Sequence, residues 1–250
     1  ALGPMGWTQV VRVGVGVGCD ARIVDFSESA AGAEFTLCWR GQVWAHVNWS
    51  QPGMFNARNA AMAATAAGLA LDAGNPTSLS LAPLAKFRGV KRRQEILWST
   101  KRLTVIEDFG HHPTALAETL QSFRARFPGA ILTAVFEPRS NTARVKTLQT
   151  AFMQALALAD EVYIGAIDRP EKIRDEERLD TAAIVQHLAA QGLAGYSSPS
   201  NQALLATLVT NTLKADQNGA SKPRLVAFFT NGSFDGIISG FVAAAKATAS

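Results

Sequence analysis

The sequence lacks most of the patterns that identify a common class of enzyme. It has only two cysteines, Cys19 and Cys38, and no Cys-x-x-Cys pair. This argues against a disulfide framework or a cysteine zinc site, and it favours a reducing, cytoplasmic setting. There is also no GxxxxGK[ST] phosphate loop, no HExxH motif and no Ser-His-Asp elbow. The residues therefore give no sign of hydrolysis, and any nucleotide must be bound without a phosphate loop from this chain.

Long apolar runs and strong charge are missing as well. The longest apolar candidate, Ala60–Leu71, is mostly alanine and falls short of the ~18–20 residues that cross a membrane. The first residues lack the regions of a signal peptide, and the chain does not begin with an initiator methionine, so we expect it to begin inside a longer protein. Charged residues make up 18%, with a net charge of +4. This mild excess suits an anionic ligand such as a nucleotide and is too diffuse to indicate nucleic acid.

The first 90 residues have the pattern of β structure followed by helix. Gly16–Ala21 fits GxGxxA, but Arg22–Phe26 then alternates like a strand, so we predict a glycine-rich strand and turn rather than a dinucleotide-binding loop. The basic run Arg88–Arg93 is the predicted domain boundary, either as a solvated linker or as a phosphate contact. The predicted strands are Val10–Val13, Ala21–Phe26, Glu34–Trp39 and Gln42–Trp49, and the predicted helices are Asn56–Ala73 and Ser78–Phe87.

From Gln94 onward, strand and helix patterns alternate, which predicts an α/β fold with a mainly parallel sheet covered on both faces. Gln94–Trp98 and Leu103–Glu107 are expected to form an edge hairpin. Lys214–Pro223 has the composition of a surface loop. The predicted helices are Pro113–Phe127, Val145–Leu158, Thr181–Gln191, Asn201–Leu213 and Gly236–Lys246.

Four polar loops follow apolar strand-like runs in this second part: Glu107–Thr114, Glu137–Thr142, Asp168–Pro170 and Asn231–Phe234. In an open parallel sheet the loops leaving the carboxyl ends of the strands share one edge, and ligands bind there. We therefore expect these loops to line one cleft.

Several side chains in these loops could bind a ligand, and each also has a structural alternative. The Arg139 guanidinium suits a carboxylate or phosphate, or it forms a surface salt bridge. Backbone N–H groups near Asn231 could bind an anion, while Ser233 could cap a helix beginning near Phe234. Asp108 could bind a ribose, or it could begin a turn.

The pair His111-His112 invites a metal hypothesis, which we reject. Adjacent residues point in different directions, and only His46 and His187 remain as further histidine ligands. We expect His46 and His187 to be structural, and one of the pair to pack or hydrogen-bond at the domain junction.

Three segments resemble the Mur ligase family in order and spacing: Gly53–Ala60 (GMFNARNA), Gly89–Arg93 (GVKRR) and Asp108–Thr114 (DFGHHPT). These ligases build peptidoglycan precursors by ATP-driven amide formation and have three domains. The resemblance implies that residues 1–90 are the C-terminal part of the central ATP-binding domain and that 91–250 form the Rossmann-like C-terminal domain. Glu137–Thr142 (EPRSNT) and Thr230–Gly236 (TNGSFDG) resemble the members that join UDP-N-acetylmuramate to the tripeptide L-Ala-γ-D-Glu-meso-diaminopimelate.

The resemblance also implies residue roles. Asn56 and Asn59 match the residues that contact the adenine, although Phe55 replaces a histidine usual in the family. Arg93 matches the catalytic arginine that reaches the γ-phosphate. Asp108 matches the aspartate that binds the ribose. ATP and Mg²⁺ are the implied cofactors, with the magnesium ligands outside this chain. The implied substrate-binding residues are His111, Arg139, Ser140, Asn141, Asn231 and Ser233.

The implied partners are UDP-N-acetylmuramate and the tripeptide, with no nucleic acid and no membrane, in a monomer or weak oligomer. Without a phosphate loop, the isolated chain is expected to be inactive. Two alternatives remain open. One is a ligase that adds L-alanine, and the other is a non-catalytic nucleotide- or polyanion-binding module that uses the basic run Lys86–Arg93.

Overall fold

A computed structural model describes residues 9–214 and 222–249, which fall into two compact units divided between Gly89 and Val90. Most of the loop expected over Lys214–Pro223 lies outside the described residues. Within these ranges, no helix has the length and apolar character needed to span a bilayer.

The first unit is a four-stranded sheet with one long helix. Strands β1 to β4 lie in chain order, with β1 parallel to β2 and the others antiparallel. Alanines along one side of helix α1 pack on the sheet, and Ala57 and Ala61 are fully buried. The bounds are β1 Val13–Gly14, β2 Ala21–Ser29, β3 Gly32–Trp39, β4 Gln42–Trp49 and α1 Met54–Leu71.

Two sequence predictions for this unit need correction, and one is confirmed. The strand expected over Val10–Val13 is only Val13–Gly14. The helix expected over Ser78–Phe87 is wrong, because only two short 3₁₀ turns form there, Pro76–Ser78 and Ala82–Lys86. A continuous helix would place Pro83 in its interior, where proline lacks the N–H donor and clashes with the preceding turn. The glycine-rich segment is followed by β2 and no helix, as predicted.

The second unit is a six-stranded sheet of order β5-β6-β10-β7-β8-β9, parallel except for the edge strand β5. The β5–β6 hairpin is confirmed. The strands of the second unit are β5 Glu95–Ser99, β6 Leu103–Asp108, β7 Ile131–Phe136, β8 Glu161–Ile164, β9 Ala194–Ser197 and β10 Arg224–Phe229. The helices of this unit are α2 Pro113–Arg126, α3 Gln149–Leu156, α4 Thr181–Ala190, α5 Asn201–Val209 and α6 Ile237–Ala249.

Helices cover both faces of this sheet, which confirms the predicted α/β class. Buried side chains of α2, α3 and α4, such as Phe123, Phe152 and Leu188, form a core with one face. Leu208 of α5 and Phe241 of α6 form a second core with the opposite face. All these side chains lose their water-exposed apolar surface, which is the main driving force for folding.

Helix α6 begins within one residue of the predicted Gly236, but the alternative of a helix that begins near Phe234 with Ser233 as its cap is wrong. Phe234 and Asp235 have left-handed backbone angles, with φ of 49° and 48°. These angles interrupt a right-handed helix, so α6 begins at Ile237 after a 3₁₀ turn. Ser233 makes no side-chain capping bond.

Candidate functional site at the carboxyl edge of the six-stranded sheet

The carboxyl ends of the central parallel strands are level, so their loops leave from one edge. Phe229 of β10 aligns with Asp108 of β6 and Phe136 of β7, and Phe136 aligns with Ile164 of β8. The structure therefore brings together the four polar loops that follow these strands.

Arg92 holds the loop after β10 against the start of the second unit. Its Nε donates to Glu107 Oε1 at 2.6 Å, and its Nη2 donates to the carbonyls of Thr230 at 3.1 Å and Gly232 at 2.5 Å. The interpretation of the basic run as a solvated linker is therefore wrong for Arg92. A guanidinium can make several fixed hydrogen bonds at once, which suits this bracing position.

Three arginines surround the carboxylate of Asp168 between the exits of β7 and β8. Arg139 Nη1 lies 3.4 Å from Asp168 Oδ1, Arg144 Nη1 lies 3.8 Å from Oδ2, and Arg169 Nε lies 3.7 Å from Oδ2. Glu137 is the second acidic neighbour, 3.7 Å from Arg139. Asp235 is a further carboxylate that acts on Glu137, so the charges of this arginine cluster are close to balanced. A guanidinium of the cluster can still form paired hydrogen bonds with a carboxylate ligand.

Gly232 allows Arg139 to reach across to the loop after β10. A Cβ atom at position 232 would lie 2.3 Å from Arg139 Cδ and Nε, closer than atoms can approach. Glycine is thus required by the close contact of the Arg139 side chain. Next to it, the half-buried Asn231 has a buried Oδ1 without a hydrogen-bond partner in the described part of the chain.

A buried carboxylate lies beneath Arg139. Glu137 is 2% exposed, and the hydroxyl of Thr230 donates a hydrogen bond to its Oε2. Burial raises the pKa of Glu137, although the Thr230 hydrogen bond and Arg139 oppose that shift. Thr230 Oγ1 also accepts from the backbone N–H of Gly232 at 2.8 Å. This chain of bonds fixes the loops after β7 and β10 relative to each other.

Asp108, the predicted ribose contact, is 4% exposed and already holds two backbone groups. Its oxygens accept from the N–H of Gly110 at 2.7 Å and of Gln94 at 3.0 Å. Burial raises the pKa of Asp108, while these two hydrogen bonds and Arg93 oppose the shift. The ribose role stays a prediction, and the structure adds that Asp108 orders its own loop.

Arg93, the predicted catalytic residue, is exposed. Its guanidinium lies 5.1 Å from the ring centre of Phe109, a cation–π contact. It has no salt bridge to any of the residues that the structure describes. Unlike Arg92, it can therefore turn toward a phosphate.

Ser140 and Asn141 organise the loop that carries Arg139. Ser140 Oγ accepts from the Ala143 N–H at 3.1 Å, and Asn141 Oδ1 accepts from Arg144 Nη2 at 2.7 Å. Their predicted contacts with substrate remain untested, while both clearly stabilise the turn. Ser233, also predicted to bind substrate, is exposed beside Gly232.

The histidines have structural partners. His111 Nδ1 is 3.0 Å from the Phe109 carbonyl and its ring packs edge-on against Phe109, while His112 accepts from the Thr114 N–H at the start of α2. As expected, His46 and His187 also have local partners, Thr36 and Gln191. In the described part of the chain, no three or more metal-binding side chains form a group that could hold an ion.

The predicted adenine contacts lie in the first unit, in the first two turns of α1. Asn56 donates to the Pro52 carbonyl at 2.7 Å, and Asn59 is exposed. Residues three apart share a helix face, so the two side chains can face one planar ligand. Asn59 is the one with a freely accessible amide.

Sequence reasoning missed four residues that shape this site: Arg92, Glu137, Arg144 and Asp168. Arg92 was within the basic run and Asp168 within a recognised loop, but neither position indicated a specific partner. A carboxylate at a strand end is usually exposed, so nothing in the sequence signalled that Glu137 is buried. Only the contacts between loops reveal these roles.

Comparisons with known proteins agree with this arrangement. Residues 92–218 match the family model described as Mur ligase, glutamate ligase domain. A UDP-N-acetylmuramate–L-alanine ligase of Acidithiobacillus ferrooxidans is 33% identical over 193 residues, which cover 75% of this chain and 40% of that protein. The chain thus spans well under half the length of this relative.

Solved structures show the same fold. The UDP-N-acetylmuramate–alanine ligase of Thermotoga maritima is 22% identical with a TM-score of 0.66, over 92% of this chain and 46% of that one. The murein peptide ligase of Psychrobacter arcticus is 26% identical with a TM-score of 0.60, over 91% of this chain and 44% of that one. The matched family model and the identity to curated relatives establish that this chain belongs to the Mur ligase family.

Proposed function

We propose that this chain is the acceptor-binding part of an ATP-dependent ligase that joins UDP-N-acetylmuramate to the tripeptide L-Ala-γ-D-Glu-meso-diaminopimelate. The proposal rests on the family membership and on the segments EPRSNT and TNGSFDG, whose side chains meet at one edge of the sheet. The likeness to a murein peptide ligase supports the choice of this acceptor.

The observation that carries the proposal is the arginine cluster around Asp168. It brings three guanidinium groups to the place where the loops after β7, β8 and β10 approach one another. The tripeptide carries three free carboxylates and L-alanine carries one, so the cluster suits the tripeptide better. Arg139, braced by Gly232, is the side chain best placed to hold a carboxylate beside Asn231.

The residues of this chain have separate tasks in the proposed reaction. ATP supplies the phosphoryl group that activates the lactyl carboxylate of UDP-N-acetylmuramate as an acyl phosphate. Arg93 would stabilise phosphate charge, and Asn59 and Asp108 would contact the nucleoside. Arg139 would orient the peptide so that its free α-amine attacks the activated carbonyl. No nucleophilic side chain is needed, because positioning and charge stabilisation carry phosphoryl-transfer reactions.

A second candidate is an L-alanine-adding ligase, and one observation favours it. The curated relative from Acidithiobacillus ferrooxidans has that name and is 33% identical. Calorimetric titration of the chain with each acceptor separates the two. Tighter binding of the tripeptide than of L-alanine supports our proposal, whereas equal or weaker tripeptide binding supports the second candidate.

The role of Arg139 can be tested in the same titration. Loss of one hydrogen bond to a charged group is worth about 1.5–3 kcal/mol, so Arg139→Ala should weaken tripeptide binding roughly 10- to 100-fold. Arg174→Ala is the matched control, because Arg174 is 71% exposed and pairs with the neighbouring Glu176 and Glu177. In a longer protein with the phosphate-loop domain, Arg139→Ala should raise the KM for tripeptide far more than that for ATP.

A further inference from the structure

We infer that a cleft between the loops after β8 and β9 binds the end of the acceptor peptide that is remote from the reacting amine. This inference rests on the proposed function and adds a second binding position to it. The cleft has a volume of about 310 Å³. The residues that line it include Ile167, Pro170, Arg178, Thr181, Ser197 and Ser198.

The topology of the sheet opens this cleft. β8 and β9 are adjacent and parallel, with Ile164 aligned with Ser197. The helix after β8, α4, packs on one face of the sheet, whereas the helix after β9, α5, packs on the other. The two chain segments therefore diverge at the carboxyl ends of neighbouring strands, which is where α/β proteins bind ligands.

The cleft adjoins the arginine cluster. Ile167 lines the cleft, and the next residue, Asp168, contacts Arg139. Neighbouring strands are about 4.8 Å apart, so the distance from the β7 exit to the gap between β8 and β9 is roughly 7 Å. An extended peptide covers about 3.3–3.6 Å per residue, so two further residues reach the cleft. Free L-alanine is too short to occupy both places.

The chemistry of the lining suits a polar, carboxylate-bearing end. Arg178 Nη2 is held by the carbonyls of Pro170 at 2.8 Å and Ile173 at 3.1 Å, and it pairs with the exposed carboxylate of Asp175 at 2.6 Å. These contacts fix the guanidinium. Its Nε is buried and has no hydrogen-bond partner in the part of the chain that the structure describes. The hydroxyls of Thr181, Ser197 and Ser198 add further donors. A peptide carboxylate would accept from these hydroxyls, with the Arg178 guanidinium in the same lining.

The test is a titration of the chain with L-Ala-γ-D-Glu and with L-Ala-γ-D-Glu-meso-diaminopimelate. We expect the third residue to tighten binding at least tenfold. Ser197→Trp places an indole in the cleft from an exposed position, and it should abolish that gain while leaving dipeptide binding unchanged. Gln186→Trp, an exposed position on α4 that does not line the cleft, is the control and should keep the gain.

A second variant, Arg178→Gln, should reduce the gain from the third residue about five- to tenfold, with its melting temperature checked in parallel. The inference is overturned if wild type binds both peptides equally, or if Ser197→Trp keeps the full gain. In either case dipeptide binding still supports the proposed function. If neither peptide binds, the proposed function fails and the subsite fails with it.

Discussion

Replacing Arg92 by methionine tests whether this residue braces the candidate site. Methionine keeps an unbranched apolar chain but removes the ion pair with Glu107 and both hydrogen bonds to the carbonyls of Thr230 and Gly232. The side chain of Glu107 is 14% exposed and would lose its cationic partner. Each hydrogen bond to a charged group is worth about 1.5–3 kcal/mol, but Arg92 is 32% exposed and water would replace part of the loss. We therefore expect a net loss of about 2–3 kcal/mol.

Differential scanning calorimetry measures the effect. For a unit of this size, 1 kcal/mol corresponds to roughly 2–4 °C, so the transition of the second unit should fall by about 5–10 °C. Lys91→Met is the matched control, because Lys91 is an exposed cation of the same basic run, and it should change stability by no more than about 0.5 kcal/mol. Equal, small shifts for both variants would refute the bracing role and restore the solvated-linker interpretation.

Two further predictions concern the loops after β7 and β10. Gly232→Ala should weaken tripeptide binding at least tenfold, because the new Cβ displaces the flexible end of Arg139. The melting temperature should change only a little. An unchanged affinity in calorimetry would show that the contact has no role in binding. Glu137→Gln should change how stability depends on pH. Burial raises the pKa of Glu137 above its ordinary value of 4.5, so its contribution to folding is fully present below pH 4.5 and is lost as pH rises through the raised pKa. The unfolding free energy of wild type minus that of the variant should therefore fall as pH rises, and a constant difference in urea titrations would contradict this.

The second unit could largely be predicted because its local patterns agree with its tertiary structure. Leu116, Leu120 and Phe123 recur at helical spacing, and all three are buried on one face of the sheet. Strand exits in a parallel sheet share an edge whatever their side chains, so the common edge of the loops after β6, β7 and β10 followed from topology. These features depend on the spacing of apolar residues along the chain and on the way in which parallel strands are connected.

The features that escaped prediction depend on contacts between distant residues or on local strain. Arg92 contacts Gly232, which is 140 positions further along the chain, and no local pattern reports such a partner. Phe234 and Asp235 adopt left-handed angles that oppose their ordinary preferences, so a propensity argument does not reveal that Ser233 caps no helix there. Arg169, which belongs to the arginine cluster around Asp168, also has a left-handed backbone angle, with φ of 48°. Such backbone strain is found at ligand-binding loops more often than elsewhere.

The central claim is that the carboxyl edge of the six-stranded sheet binds the acceptor peptide. The most direct test is an amide chemical-shift titration of the isotope-labelled chain with L-Ala-γ-D-Glu-meso-diaminopimelate. We expect saturable shifts in the loops after β7, β8 and β10, around Arg139, Asp168 and Gly232, with a Kd roughly 10- to 100-fold higher in Arg139→Ala. Saturable shifts confined to other surfaces, or shifts at this edge with an unchanged Kd in Arg139→Ala, would refute this binding site.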